Sequence, residues 1–308
     1  MRVTNSLIIS RSQLRLQQGL QGVERLRDDI ATGVRIRKMS DDATSGGEIV
    51  RIGSSMRALT QYRRNANAGI ARAAAEETVL DRLGSTLTRG LELAVGQSSA
   101  TANAETRQIV KTEVDQLLRF AADLGNSRFG DEYLFGGNRA AEAPFAVPVP
   151  STGSFSALTV TSGTPPVTTS VDPSGNPTLE IGDKKFVTPT HNGTEVFLDT
   201  GALAALRDLS TALGTNDVAG ISAAVTALTQ SNDRVQALVG TQGARINEME
   251  GAKLALDQME LDLKTFRSDL RDTEIDKAMA ELVGKQTLYQ AAMGATSRIL
   301  GLSLANYL

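Results

Sequence analysis

Apolar residues recur at alternating steps of four and three along most of the chain, which places them on one face of a helix. The N-terminal part of this pattern predicts a helix that ends near Thr32-Gly33, because glycine readily adopts the left-handed conformation that stops a helix. After Ser40-Asp41-Asp42, side chains typical of a helix start, a second and long helix is expected. Its apolar positions are Ile49, Ile52, Met56, Leu59, Ala66, Ile70, Ala73, Leu80, Leu87, Leu91 and Ala94.

A third amphipathic stretch ends before Gly125, and the composition then changes abruptly. All eight prolines lie between Pro144 and Pro189, and β-branched runs occur at Leu158–Thr161 and Lys185–Thr188. Short runs of this kind between turn-forming residues are typical of strands. Residues 139–200 are therefore expected to form an inserted β domain, with helix returning at about Gly201.

The helical spacing is most regular at the C-terminal end. There an apolar stripe, called the C-terminal seam below, comprises Ile275, Met279, Leu282, Tyr289, Met293, Leu300 and Tyr307. A helix with such a stripe owes most of its stability to burying it, and the N-terminal helix is the expected partner.

The predicted fold class is mainly α with an inserted β domain, in which the N- and C-terminal segments form a long helical bundle or coiled coil. The expected domains are a terminal assembly domain (1–44 with 265–308), a helical bundle (45–138 with 201–264) and the β insert (139–200).

Hydrophobic residues make up 41% of the chain but aromatic residues only 4%. This composition suits packing between helices.

The sequence lacks most of the residue types that enzymes commonly use as nucleophiles, general bases or metal ligands. It contains no cysteine and one histidine, His191, which lies in the turn-like stretch 189–193 and is expected to be an ordinary surface residue. Asp41-Asp42 is interpreted as helix-capping chemistry in preference to a cation site. We expect no catalytic residues, no metal and no cofactor. The net charge of −3, without clustered basic residues, disfavours nucleic acid and membrane surfaces as partners.

Two internal motifs and the two ends resemble the flagellin superfamily and, within it, the hook-filament junction proteins. The first motif comprises Gly33, Arg35, Ile36, Ser40, Asp41 and Asp42, and the second comprises Tyr133, Leu134, Phe135, Gly136 and Gly137. The stretch 243–247 is similar to the start of the C-terminal helix of the superfamily. The residues 302–304 and 307–308 resemble the ending of the junction proteins. The resemblance covers about 1–138 and 201–308.

This resemblance implies a non-enzymatic structural protein of the bacterial flagellum that forms the junction between hook and filament. It implies export unfolded through the flagellar type III apparatus, without a cleaved signal, and an extracellular location. The implied partners are the other hook-associated junction protein, flagellin, a FlgN-type export chaperone that binds the C-terminal seam, and further copies of the chain in a ring. Two alternatives stay open: a flagellin filament subunit, or a type III-secreted adhesin or effector.

Overall fold

The computed structural model describes residues 2–99, 103–145 and 174–305. Helices dominate these ranges, as predicted, and a small β part lies between α3 and α4. The helices are α1 (Arg2–Thr32), α2 (Ala43–Gln97), α3 (Ala104–Gly125), α4 (Ala202–Gly214), α5 (Val218–Arg271) and α6 (Ile275–Ala305). The mainly helical fold class is therefore confirmed.

The helix ends follow local chemistry that the sequence shows. Gly33 directly follows α1 with a φ of +68°, a left-handed conformation that costs a residue with a Cβ about 1–2 kcal/mol. The Asp42 side chain accepts hydrogen bonds from the first backbone N–H groups of α2, and Asn103 caps α3 in the same way. The predicted stop of α1 and start of α2 are both confirmed.

The β part consists of two short antiparallel hairpins in the described ranges. β1 (Arg128–Phe129) pairs with β2 (Glu132–Tyr133), and β3 (Leu179–Gly182) pairs with β4 (Lys185–Val187). A π-helical turn, Thr194–Asp199, then leads into α4. The predicted strand at 185–188 is present, whereas the run 158–161 lies outside the described residues.

A large hydrophobic core joins α2, α3, α4, the first part of α5 and the loops around the hairpins. Three phenylalanines meet at its centre. The ring centroid of Phe197 lies 5.2 Å from the ring centroids of both Phe135 and Phe145, in edge-to-face contacts. Around them lie leucines from every helix of this group, including Leu80, Leu83, Leu87, Leu118, Leu203, Leu206, Leu209, Leu213 and Leu228. A smaller cluster packs the β3–β4 hairpin on α2 and α5 through Ala66, Ala73, Ile181, Val187 and Met249.

The chain forms two compact units. The central unit comprises Leu59–Gln258 and contains both hydrophobic clusters, whereas the terminal unit comprises Met1–Ala58 with Met259–Leu308. In the terminal unit α1 packs against α6, which confirms that the N-terminal helix is a partner of the last helix. The buried apolar side chains of the terminal unit in the described ranges are Val23, Ile36, Ile52 and Ala278.

Candidate functional site

The C-terminal seam is only partly covered by α1. Leu282 and Tyr289 are half-buried, and the position that a Cβ on Gly19 would occupy is 3.4 Å from the Tyr289 ring. In contrast, Ile275, Met279 and Met293 are 55%, 48% and 46% exposed. The side chain of Leu300 and the whole of Tyr307 lie outside the described residues. The seam thus presents apolar surface in the single chain.

A groove of about 320 Å³ lies between α1 and α6. The groove is largely apolar. On the α1 side Gly19 and Gly22 place no side chains, and Arg15, Leu16 and Gln18 also line it. Leu288 borders it from α6 and is 71% exposed. Further exposed apolar side chains of this unit lie on α5, namely Met259, Leu261 and Phe266.

The first part of the N-terminal motif forms a clasp, defined here as residues 33–36 with residues 270–273. Hydrogen bonds join the two segments: Arg35 N–H to Arg271 O (2.8 Å), Ile36 N–H to Arg271 O (3.2 Å), Thr273 N–H to Gly33 O (2.9 Å), and Arg35 Nη2 to Leu270 O (3.0 Å). Val34 and Asp272 form an isolated antiparallel bridge at the same place. The clasp ties the loop between α1 and α2 to the link between α5 and α6.

Asp41 stabilises the loop that continues from the clasp. Its carboxylate accepts hydrogen bonds from the backbone N–H groups of Lys38 (2.9 Å) and Arg37 (3.1 Å) and lies 3.1 Å from the Arg25 guanidinium. These backbone donors, Lys38 first, lower the pKa of Asp41 below its usual range, and the charges of Arg25 and Arg37 add to the effect. Ser40 is exposed in the same loop.

Asp42 caps α2, as predicted. Its carboxylate accepts from the backbone N–H groups of Thr44 (3.1 Å) and Ser45 (3.0 Å) and from the Ser45 hydroxyl (2.7 Å). The Ser45 hydroxyl is the largest cause that lowers the pKa of Asp42. Asp41 therefore stabilises the loop before α2, and Asp42 stabilises the first turn of α2.

The second motif is part of the central core. Leu134 and Phe135 are 2% and 0% exposed, while Tyr133 ends β2 and packs its ring 5.0 Å from the Arg128 guanidinium. Gly136 and Gly137 then begin a tight 3-10 turn, Gly137–Arg139. This motif contributes to packing in the central unit.

The expectation that His191 is a surface residue is wrong. Its side chain is 5% exposed and its Nδ1 lies 2.7 Å from Oε1 of Glu76, which is fully buried. The stretch 189–193 looks turn-like in sequence, but the carbonyl of Pro189 accepts from Gln242 of α5 and the backbone N–H of His191 donates to Glu76 of α2. Sequence offers one signal for this pair: Glu76 is a charged residue at a position where the apolar stripe of α2 continues between Ala73 and Leu80.

The described residues contain no group of three or more histidine, aspartate or glutamate side chains that could hold a metal ion. Among the same residues no helix is both long and apolar enough to cross a membrane.

The known proteins to which this chain is similar are bacterial flagellar proteins. A family model described as the bacterial flagellin N-terminal helical region matches residues 4–140. Flagellar hook-associated protein 3 of Escherichia coli K12 is 23% identical over 316 residues, covering 95% of this chain and 97% of that protein. Flagellin of Salmonella typhimurium is 33% identical over 118 residues, which is 37% of this chain and 23% of the flagellin.

Solved structures share the fold at low sequence identity. FlgL of Xanthomonas campestris superposes with a TM-score of 0.58 at 17% identity, covering 70% of this chain and 99% of that one. The flagellar junction protein FlgL of Legionella pneumophila gives 0.56 at 12% identity, with 73% and 100% coverage. Residues 4–140 therefore resemble the N-terminal helical region of bacterial flagellins. Along nearly its whole length the chain is similar to flagellar hook-associated protein 3.

Proposed function

We propose that this chain is a structural protein of the bacterial flagellum that forms the junction between hook and filament. The observation that carries the proposal is the extent of its similarity to hook-associated protein 3, 95% of this chain and 97% of the relative. The flagellin that is more identical corresponds to this chain over only 118 residues. The greater extent of the similarity to hook-associated protein 3 favours a junction protein over a filament subunit.

The proposal includes a non-enzymatic role, an extracellular location after type III export, and assembly of several copies in a ring. The proposed neighbours are the other hook-associated junction protein on one side and flagellin on the other. The exposed apolar side chains of the terminal unit support a role in assembly, because surfaces of this kind mark sites of association between proteins. The sequence-derived domain limits, 1–44 with 265–308, remain a proposal for the assembling part.

Electron microscopy of cells that lack this chain tests the junction role. We expect hooks without attached filaments, with filament protein released into the medium, and restoration of filaments by the intact gene. Normal filaments on the deletion strain would refute the junction role. Short or absent hooks would refute it as well, because they would place the chain earlier in assembly.

The C-terminal seam has two successive roles in this proposal: it binds a FlgN-type chaperone in the cytoplasm and then packs against neighbouring subunits. Leu282, which is half-buried, lies on the seam, whereas Gly284 lies where an added Cβ would contact nothing within 4 Å. Leu282→Asp would place a charge at an apolar contact, at a cost of several kcal/mol where burial is complete.

We expect Leu282→Asp to lose both chaperone binding and filament attachment, and the matched variant Gly284→Asp to keep both. The measurements are a pull-down with the chaperone and the number of filaments per cell for each variant. Normal binding and normal filaments with Leu282→Asp would contradict the proposed roles of the seam.

A further inference from the structure

The charges of the terminal unit are distributed unevenly along its helix pair. Residues 2–23 of α1 and 282–305 of α6 contain five basic residues and no acidic one. Residues 269–281, which form the end of α5, the link and the start of α6, contain five acidic and two basic residues. Such a separation of signs within one unit favours contact between unlike parts of neighbouring molecules.

The groove between α1 and α6 lies in the basic part of the pair. Its charged lining residues are Arg15 and Lys285, and both are exposed. Between them the lining is apolar, with Leu16 on α1 and Leu288 on α6, and Gly19 leaves room above the helix backbone. The groove therefore suits an apolar surface that carries negative charge beside it.

An exposed apolar ridge adjoins the acidic section of the same unit. The ridge comprises Ile275, Met279 and Val283, which are 55%, 48% and 62% exposed and, at four-residue spacing, share one side of α6. Asp272 directly precedes the helix, and Asp276 lies three positions before the central ridge residue. Lys277 pairs with Glu274 at 2.6 Å, which leaves Asp272 and Asp276 as the negative charges beside the ridge. The ridge is thus the complement of the groove in both shape and charge.

The ridge and the groove cannot cover each other within one chain. Both use α6, where Leu288 follows Met279 by nine positions, a separation of about 13 Å at the rise of an α-helix. Around the helix axis the ridge is turned by roughly 130° from the α6 residues of the groove. A second molecule is therefore needed to bring the two surfaces together.

The charges also decide between the possible contacts of two copies. A groove-to-groove contact would place Arg15 and Lys285 of both copies together, and a ridge-to-ridge contact would do the same for Asp272 and Asp276. Like charges at such a contact oppose it. A ridge in a groove instead places acidic beside basic side chains and covers apolar surface on both copies.

We propose that the ridge of one copy inserts into the groove of the next, in a head-to-tail contact between copies of this chain. The inference rests on the proposed function, in which several copies form a ring. A contact between two different surfaces repeats from copy to copy, and it closes into a ring when the rotation between neighbours allows it.

Disulfide cross-linking of the full-length chain tests the contact, because the sequence contains no cysteine. Met279→Cys and Leu288→Cys are prepared separately and mixed under oxidising conditions at increasing protein concentration. We expect the mixture to form cross-linked dimers much faster than either variant alone. The matched control Ala237→Cys, at an exposed position of α5, should not cross-link faster with either variant than with itself.

A chain that carries both cysteines decides whether the contact repeats. The two positions are about 13 Å apart within one chain, which is too far for an internal disulfide. We expect a ladder of dimers, trimers and larger products. Products that stop at the dimer would overturn the head-to-tail contact, as would faster cross-linking within Met279→Cys or Leu288→Cys alone. A mixture that stays monomeric at every concentration would show that this chain does not fill the groove.

Charge reversal supplies a second test, measured as self-association by sedimentation velocity. Lys285→Glu and Asp276→Lys should each weaken association by about fivefold, the upper range for exposed ion pairs. An equimolar mixture of the two should regain it, because the groove of each variant again meets a ridge of opposite charge. Asp233→Lys, at an exposed position of α5, should associate as the unmodified chain does. No recovery in the mixture, or equal weakening by Asp233→Lys, would refute the contact.

The result is distinguishable from that for the proposed function. Hooks without filaments on the deletion strain, combined with no cross-link between ridge and groove, would overturn the contact and leave the junction role intact. A full ladder combined with normal filaments on the deletion strain would support the contact and refute the junction role. If a charge variant does not fold, the cysteine variants decide the question.

Discussion

The central and terminal units bury the apolar faces of their long amphipathic helices to different extents. The central unit surrounds three phenylalanines with fully buried leucines from α2, α3, α4 and α5. The terminal unit buries few apolar side chains and leaves Leu14, Met39, Leu261, Ile275 and Leu288 more than half exposed. Because stability follows buried apolar area, the two units should differ in how readily they open.

The difference indicates which surface would gain the most free energy if a neighbouring subunit covered it. A subunit that buried all its apolar surface alone would gain little from neighbours, whereas one that leaves a helix pair half covered gains when another subunit covers it. The terminal unit retains local order through directional contacts, the clasp and the α2 cap, more than through a core. Variants that act on the core and on the clasp should therefore have separable effects.

The largest expected effect is on the central core. Phe135→Ala removes a fully buried ring and should destabilise the central unit by about 3–5 kcal/mol, the usual cost of such a cavity. Chemical denaturation followed by circular dichroism measures the change. Phe186→Ala is the matched control, because its ring is 61% exposed on β4, and it should change stability by less than about 0.5 kcal/mol. Equal effects of the two variants would contradict the core described here.

A smaller effect, confined to the terminal unit, is expected at the clasp. Gly33→Ala introduces a Cβ at a φ of +68°, at a cost of about 1–2 kcal/mol. Hydrogen exchange of residues 33–36 and 270–273 should accelerate, while the exchange of α4 stays unchanged. Gly47→Ala within α2, where an added Cβ contacts nothing within 4 Å, is the control and should not accelerate exchange. Accelerated exchange in α4 would show that the units are not energetically separate.

The helices were predictable from sequence because their signals are local. The four-three spacing, Gly33 after α1 and Asp42 before α2 each act within a few residues of the end they define. The β part was predictable only in outline. Proline content marks residues 139–200 as different, but it does not reveal that Phe145 and Phe197 from this stretch lie at the centre of the main core.

Contacts between distant segments could not be predicted from single-residue patterns. The Glu76–His191 pair joins positions 115 residues apart, and the turn-like residues around His191 favour a surface position when the helices that cover them are not known. The clasp is similar: Arg35 and Ile36 stand out as a motif, yet their backbone N–H groups donate to the carbonyl of residue 271, which any residue type there would supply. Only the Arg35 side chain adds a contact specific to its residue type, to the carbonyl of Leu270. The role of the C-terminal seam in assembly remains a prediction.

The smallest expected effect concerns acid and the start of α2. Because the pKa of Asp42 is lowered from 3.8 by the Ser45 hydroxyl and by backbone N–H groups, its contribution to folding is present above pH 3.8 and is lost as the pH falls through the lower, folded value. Asp42→Asn keeps a capping oxygen but cannot be protonated. Exchange protection of the Thr44 and Ser45 amides should therefore fall in acid in the unmodified chain and change little in Asp42→Asn. The same loss of protection in both chains would show that the acid sensitivity arises elsewhere, for example at Asp41, where Asp41→Asn offers the direct comparison.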